Sequence, residues 1–130
     1  MSTDSVSNFI ISIKNAGRAG RDRFTMPYST QINNLADLLV KHGYLRSVEV
    51  NGKDAVKELV VTLALGGGVP KVEDVKRISK PSRRVYISAD KIRPVRSGRG
   101  VVVLSTTKGV LTGKEAKAAK LGGEVMFEIW

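Results

Sequence analysis

Apolar residues recur along this chain at two different spacings, and each spacing predicts an element. Val6, Phe9, Ile10, Ile13 and Ala16 fall at helical intervals, which predicts an amphipathic helix capped by Asp4 or Ser5 and closed at Gly17. A second helix follows with Ser29 as its cap, Ile32, Leu35, Ala36 and Leu39 on its buried side with Leu38 at the margin, and Lys41-His42-Gly43 at its end. Between them Phe24-Thr25-Met26 reads as a strand stopped by Pro27. Leu45 to Val50 alternates as a strand, Asn51-Gly52 is a hairpin dipeptide, and Leu59 to Leu65 is a second, more buried strand. The polar run from Lys53 to Lys57 makes that connection longer than two residues.

The pattern breaks at Gly66-Gly67-Gly68-Val69-Pro70. These glycines read as a flexible link between two lobes, residues 1–65 and 66–130, and not as a phosphate loop, since no Gly-Lys-Ser/Thr follows. Beyond the break, Val72, Val75 and Ile78 lead a basic strand to a Pro81-Ser82 turn. Arg83 to Ile87 is expected to return as its hairpin partner. Asp90 to Arg99 reads as a loop or one short helical turn. Val101 to Leu104 is a short β-branched run suited to a strand buried on both faces, and a loop of hydroxyls, Ser105-Thr106-Thr107, follows it. Thr112 and Glu115 stand at the spacing of a capping box, which starts a short helix ended by Gly122-Gly123. In the last strand Val125, Phe127 and Ile129 share one face, and Glu124, Met126 and Glu128 the other. The predicted class is α+β in two small lobes. The N-terminal lobe runs helix, strand, helix, strand, strand, and the C-terminal lobe is β-rich with one short helix.

Composition then narrows the function. The formal charge of the 130 residues is +10, which suits a polyanionic partner, with nucleic acid first. The charge is uneven: residues 1–65 hold eight Lys or Arg against six acids, and residues 66–130 hold fourteen against six. The C-terminal half is therefore the expected polyanion face. With no cysteine, neither a disulfide framework nor a thiolate metal site is available. The polar N-terminus and the short apolar runs predict neither a signal peptide nor a membrane span, so the expected location is the cytoplasm.

The candidate contacts follow from residue type. Lys80, Arg83 and Arg84 lie with Lys76 and Arg77 on the basic hairpin, where alternate residues share a face, and Tyr86 offers a ring or hydroxyl to a ribose or an unstacked base. Ser105, Thr106 and Thr107, with Lys108 and Gly109 behind them, supply short donors and acceptors for 2′-hydroxyls and base edges. Gly122 and Gly123 allow close backbone approach. Glu124 is expected to brace the hydroxyl loop, because an unpaired carboxylate would repel phosphate. His42, the one histidine, suits the last turn of a helix better than catalysis.

Those residues carry a resemblance. Ser105-Thr106, Lys108-Gly109, Thr112 and Leu121-Gly122-Gly123-Glu124 are similar to the C-terminal signature of the bacterial small-subunit ribosomal protein eight family. Lys76 to Tyr86 resembles its second motif, and Lys14-Asn15-Ala16 with Met26-Pro27 its N-terminal half. The resemblance implies a structural constituent of the small ribosomal subunit. Such a protein binds the central domain of the small-subunit rRNA as a primary binder, helps assemble the subunit platform beside neighbouring ribosomal proteins, and in some bacteria represses its own operon mRNA. It also implies a lesser RNA contact from the N-terminal lobe through Asp4, Lys14, Asn15, Ser29 and Thr30. The chain departs from the family in having Asp4-Ser5 for Asp-Pro, Ser12 and Thr30 for basic residues, Ser82 for a turn glycine and Gly113 for an acid.

Three other classes compete with that one. An RNA-processing enzyme needs a catalytic constellation, and one histidine with no cysteine and no acid cluster offers none; no cofactor and no metal are expected. A membrane-surface binder needs an apolar face opposite its lysines, and the helix over 113–121 has mainly alanine there. A non-ribosomal regulator that binds structured RNA is the remaining alternative.

Overall fold

In a computed structural model describing residues 4–95 and 98–130, the helical intervals of the N-terminal half become α1 (Ser5–Arg18) and α2 (Thr30–Lys41). Asp4 caps α1 by accepting from the Ser7 N–H, and Ser29 caps α2 by accepting from the Ile32 N–H. Each helix buries the residues that its periodicity marks, Phe9, Ile10 and Ile13 on α1 and Ile32, Leu35 and Leu39 on α2. Both pack on an antiparallel sheet ordered β1 (Arg23–Pro27), β3 (Glu58–Leu63), β2 (Leu45–Asn51). Central β3 alternates buried Leu59, Val61 and Leu63 with half-buried Glu58, Val60 and Thr62. Pro27 is tolerated because β1 is an edge strand.

The glycine run is not a flexible link. Leu65–Gly66 (β4) pairs with Val69–Pro70 (β5) in a small antiparallel ribbon, and Gly67 and Gly68 turn it with φ of 63° and 82°. The Lys71 N–H donates to the Ala64 carbonyl at 3.0 Å, so the chain stays with the first unit past the glycines. The structure divides into Met1–Glu73 and Asp74–Trp130, eight residues beyond the expected border of 65 and 66.

The second unit is built on β10 (Gly123–Ile129). On one side it pairs with β8 (Val101–Thr106), which continues to β9 (Gly109–Thr112). On its other side two short strands lie end to end: β6 (Val75–Arg77) opposite Phe127 to Ile129, and β7 (Tyr86–Ile87) opposite Gly123 and Glu124. The basic segment is therefore not a strand paired with its own return. Its two arms meet at the Lys80–Arg83 bridge and through the Ser79 hydroxyl on Val85, and each takes its strand partners from β10. A bulge at Met126 also disturbs the expected alternation, and Val125, Met126 and Phe127 are all buried.

β8 runs on through Ser105 and Thr106, so part of the expected hydroxyl loop is strand, and the return strand β9 has no counterpart among the predicted elements. α3 (Gly113–Ala118) begins with the capping box of Thr112 and Glu115. It stops before the glycine pair: Lys120 takes the left-handed conformation at φ 58° and the Leu121 N–H donates to the Ala116 carbonyl at 2.8 Å. Ala116 of α3 packs with Leu104 and Ile92, flanked by Ile87, Val102 and Leu111. The stretch after Ser88 opens with a 3-10 turn, Ala89–Lys91; Arg96 and Ser97 lie outside the described residues.

Candidate nucleic-acid interface

Register across β7, β10 and β8 sets three candidate residues in a row. Glu124 stands opposite Tyr86 on one flank and Ser105 on the other. Successive side chains of a strand leave opposite faces, and Leu104 packs on α3, so Ser105 and its row lie on the face opposite α3, at the end of β8 beyond the buried Val103. Tyr86 is 71% exposed there. Its ring is available for stacking on an unpaired base.

Glu124 does not hold the hydroxyls. Its Oε2 accepts from Arg84 Nη1 at 3.0 Å, with the carboxylate side chain 14% exposed and the guanidinium side chain 54% exposed. The pair fixes an arginine beside the row while cancelling the repulsion that a lone carboxylate would exert on phosphate. The loop is instead held by its own hydroxyl: Thr106 Oγ1 donates to the Gly109 carbonyl at 2.8 Å and accepts from the Lys108 N–H at 3.1 Å. Thr106 and Gly109 close the β8–β9 hairpin, and Gly109 takes φ of 100°. Thr107 and Lys108 form its exposed tip. The Ser105 hydroxyl is half-buried and has no hydrogen-bond partner among the described residues, which leaves it open to a ligand.

Of the five clustered cations, Lys76, Lys80, Arg83 and Arg84 are exposed. Arg77 is half-buried and donates to the Met126 carbonyl at 2.7 Å, so it serves the fold. Lys80 and Arg83 exchange backbone hydrogen bonds at 2.8 and 3.0 Å around Pro81-Ser82, which presents both side chains at a tight turn. The residue that anchors this excursion is Ser79, fully buried. Its hydroxyl accepts from the Val85 N–H at 2.9 Å and donates to the Val85 carbonyl at 3.3 Å. Sequence reasoning misses Ser79, since a serine inside a basic run carries no local signal of burial.

The glycine pair sits where backbones meet. A β-carbon on Gly123 would collide with the Ser105 carbonyl oxygen, and one on Gly122 would lie 2.5 Å from the Ile87 carbonyl oxygen. Both glycines therefore draw β7, β10 and β8 together beneath the row.

The N-terminal candidates are differently occupied. Asp4 and Ser29 serve as helix caps, Lys14 is half-buried on α1, Asn15 is exposed one residue later, and Thr30 is exposed at the start of α2. His42 caps the end of α2, its N–H donating to the Leu38 carbonyl. Among the described residues no cluster of His, Cys, Asp or Glu can hold a metal, and no helix is long and apolar enough to cross a membrane.

Comparison with known proteins shows the family of the chain. The profile of the family described as Ribosomal protein S8 matches residues 4–130. The chain is 37% identical over 128 residues to small ribosomal subunit protein uS8 of Dictyoglomus turgidum, covering 98% of each chain. It is 40% identical over 128 residues to the uS8 protein of Mycoplasmopsis agalactiae, again covering 98% of each. With the uS8 protein of Bdellovibrio bacteriovorus it shares 38% identity over 129 residues, 98% of this chain and 99% of that one.

Proposed function

Because the chain belongs to the ribosomal protein S8 family, a family of structural, non-enzymatic components of the small ribosomal subunit, we propose that its second unit binds the central domain of the small-subunit rRNA. In this reading it joins early in assembly and helps build the subunit platform in the cytoplasm. The observation that carries this is the row of Tyr86, Glu124 and Ser105 with Arg84 held against Glu124. A ring for stacking, an open hydroxyl and an oriented guanidinium in one row are the groups that read irregular RNA by shape. The unit supplies the attraction as well: residues 74–130 hold thirteen Lys or Arg against five acids, a net of +8. Lys80, Arg83 and Lys108 position the phosphates, and Ser105, Tyr86 and the Thr107 hydroxyl make the selective contacts. Lys14, Asn15 and Thr30 add the lesser contact from the first unit.

Hydroxyl-radical footprinting on the intact small-subunit rRNA tests the reading. Protection of one irregular helix of the central domain, abolished by Tyr86→Ala and Ser105→Ala together, is the expected result. Protection confined to a messenger leader, with none on rRNA, would favour the non-ribosomal regulator.

A further inference from the structure

We propose that a cavity on the second unit, at the end of β8 remote from the hydroxyl turn, docks an acidic segment of a neighbouring protein through an apolar side chain. The cavity is about 430 Å³, in the range of side-chain and small-ligand pockets. Its floor is apolar, with Ile92, Val95 and Val102, and its rim is cationic, with Arg93, Lys114 and Lys117. Ile92 and Val95 are 4% and 9% exposed, so the floor is part of the packed unit rather than a gap at a loop tip. Gly113 also shapes it: a β-carbon there would lie 2.5 Å from Val102 Cγ1 and 3.0 Å from Ile92 Cγ2, so with glycine α3 settles onto the floor without those two side chains shifting.

The rim argues for the occupant. No carboxylate is among the described residues lining the cavity. Two of the rim cations are already anchored: Lys117 Nζ donates to the Ile92 carbonyl at 3.3 Å and Arg93 Nη1 to the Asp90 carbonyl at 3.1 Å. Each retains further N–H donors. An apolar hollow ringed by cations that are anchored on carbonyls is complementary to a leucine or phenylalanine flanked by carboxylates. An RNA strand would neutralise the rim but leave the apolar floor unfilled. The site lies at the Val101–Val102 end of β8, whereas the proposed RNA row is at Ser105, near the other end of the strand. One molecule can therefore hold RNA and a protein partner together.

The test titrates the 15N-labelled full chain with the peptide Gly-Leu-Asp-Phe-Glu-Asp, and with a control that has lysine in place of each acid. Saturable shifts at the Ile92, Val102 and Lys114 amides with the acidic peptide alone are expected, weakened roughly fivefold by Arg93→Ala with Lys114→Ala. In parallel, a photo-crosslinking amino acid replaces Lys114 in purified small subunits, and the crosslink is expected to map to an acidic, apolar segment of a polypeptide. Equal binding of both peptides, no saturable shift, or a crosslink to rRNA alone would overturn the proposal.

Discussion

Ser105 and Thr106 are adjacent hydroxyls with different tasks. Thr106 commits its hydroxyl to the Gly109 carbonyl and the Lys108 N–H, whereas Ser105 has no hydrogen-bond partner among the described residues. Ser105→Ala should therefore weaken binding to the cognate rRNA fragment by roughly threefold to tenfold while leaving bulk-RNA binding and thermal stability unchanged. Thr106→Ala should weaken binding and also loosen the β8–β9 turn, and Thr106→Ser should restore both, since serine keeps the same bonds. Filter binding with melting curves separates the two, and equal behaviour of the alanine variants would refute the division of labour. Glu124 provides a second test at this scale. Removing a negative charge beside a polyanion should tighten binding by plain electrostatics, but Glu124→Ala also releases Arg84 from its 3.0 Å contact. The expected outcome is weaker cognate binding at both low and high salt, with circular dichroism unchanged. Tighter binding at both would make Glu124 a surface charge and nothing more.

Among the elements, those with a long internal period are legible in the sequence and those without one are not. α1 and α2 run 14 and 12 residues with capped starts, so three or four turns repeat the same apolar interval and the reading is over-determined. β6 and β7 span three and two residues, too few to show a period. What holds them is β10, more than thirty residues further on, and pairing at that distance leaves no trace in local pattern. Hence the basic segment reads from sequence as its own hairpin, and the site residues are recognisable by type while the Arg84–Glu124 contact is not. The glycine pair is legible as a place of close approach but not as what it leaves undone: a left-handed lysine, not a glycine, ends α3. Gly123 also yields the prediction for this scale. A β-carbon there meets backbone, which cannot swing aside, so Gly123→Ala should cost about 1–3 kcal/mol. The row of Tyr86, Glu124 and Ser105 should splay with it. A melting temperature indistinguishable from that of the parent would show that the strands give way freely.

For the whole molecule the question is where the polyanion is held. Residues 1–73 contain nine Lys or Arg against seven acids, a net of +2, and residues 74–130 a net of +8. Net charge alone does not locate phosphate contacts, because a field acts over a Debye length of about 10 Å at 0.1 M salt and every cation adds to it. Counterion release does locate them, since on a duplex each neutralised phosphate adds about 0.9 to the slope of log affinity against log salt. Arg18 and Arg21 are exposed in the first unit, and Lys80 and Arg83 are exposed at the tight turn of the second. Each pair carries the same charge, so neutralising either to alanine lowers the general attraction alike. Only Lys80→Ala with Arg83→Ala should flatten the slope, by roughly two, whereas Arg18→Ala with Arg21→Ala should leave it unchanged. The measurement is affinity for the rRNA fragment at several salt concentrations, with melting curves confirming both folds. Equal flattening by the two pairs would spread the phosphate contacts over both units and remove the first unit from its lesser role.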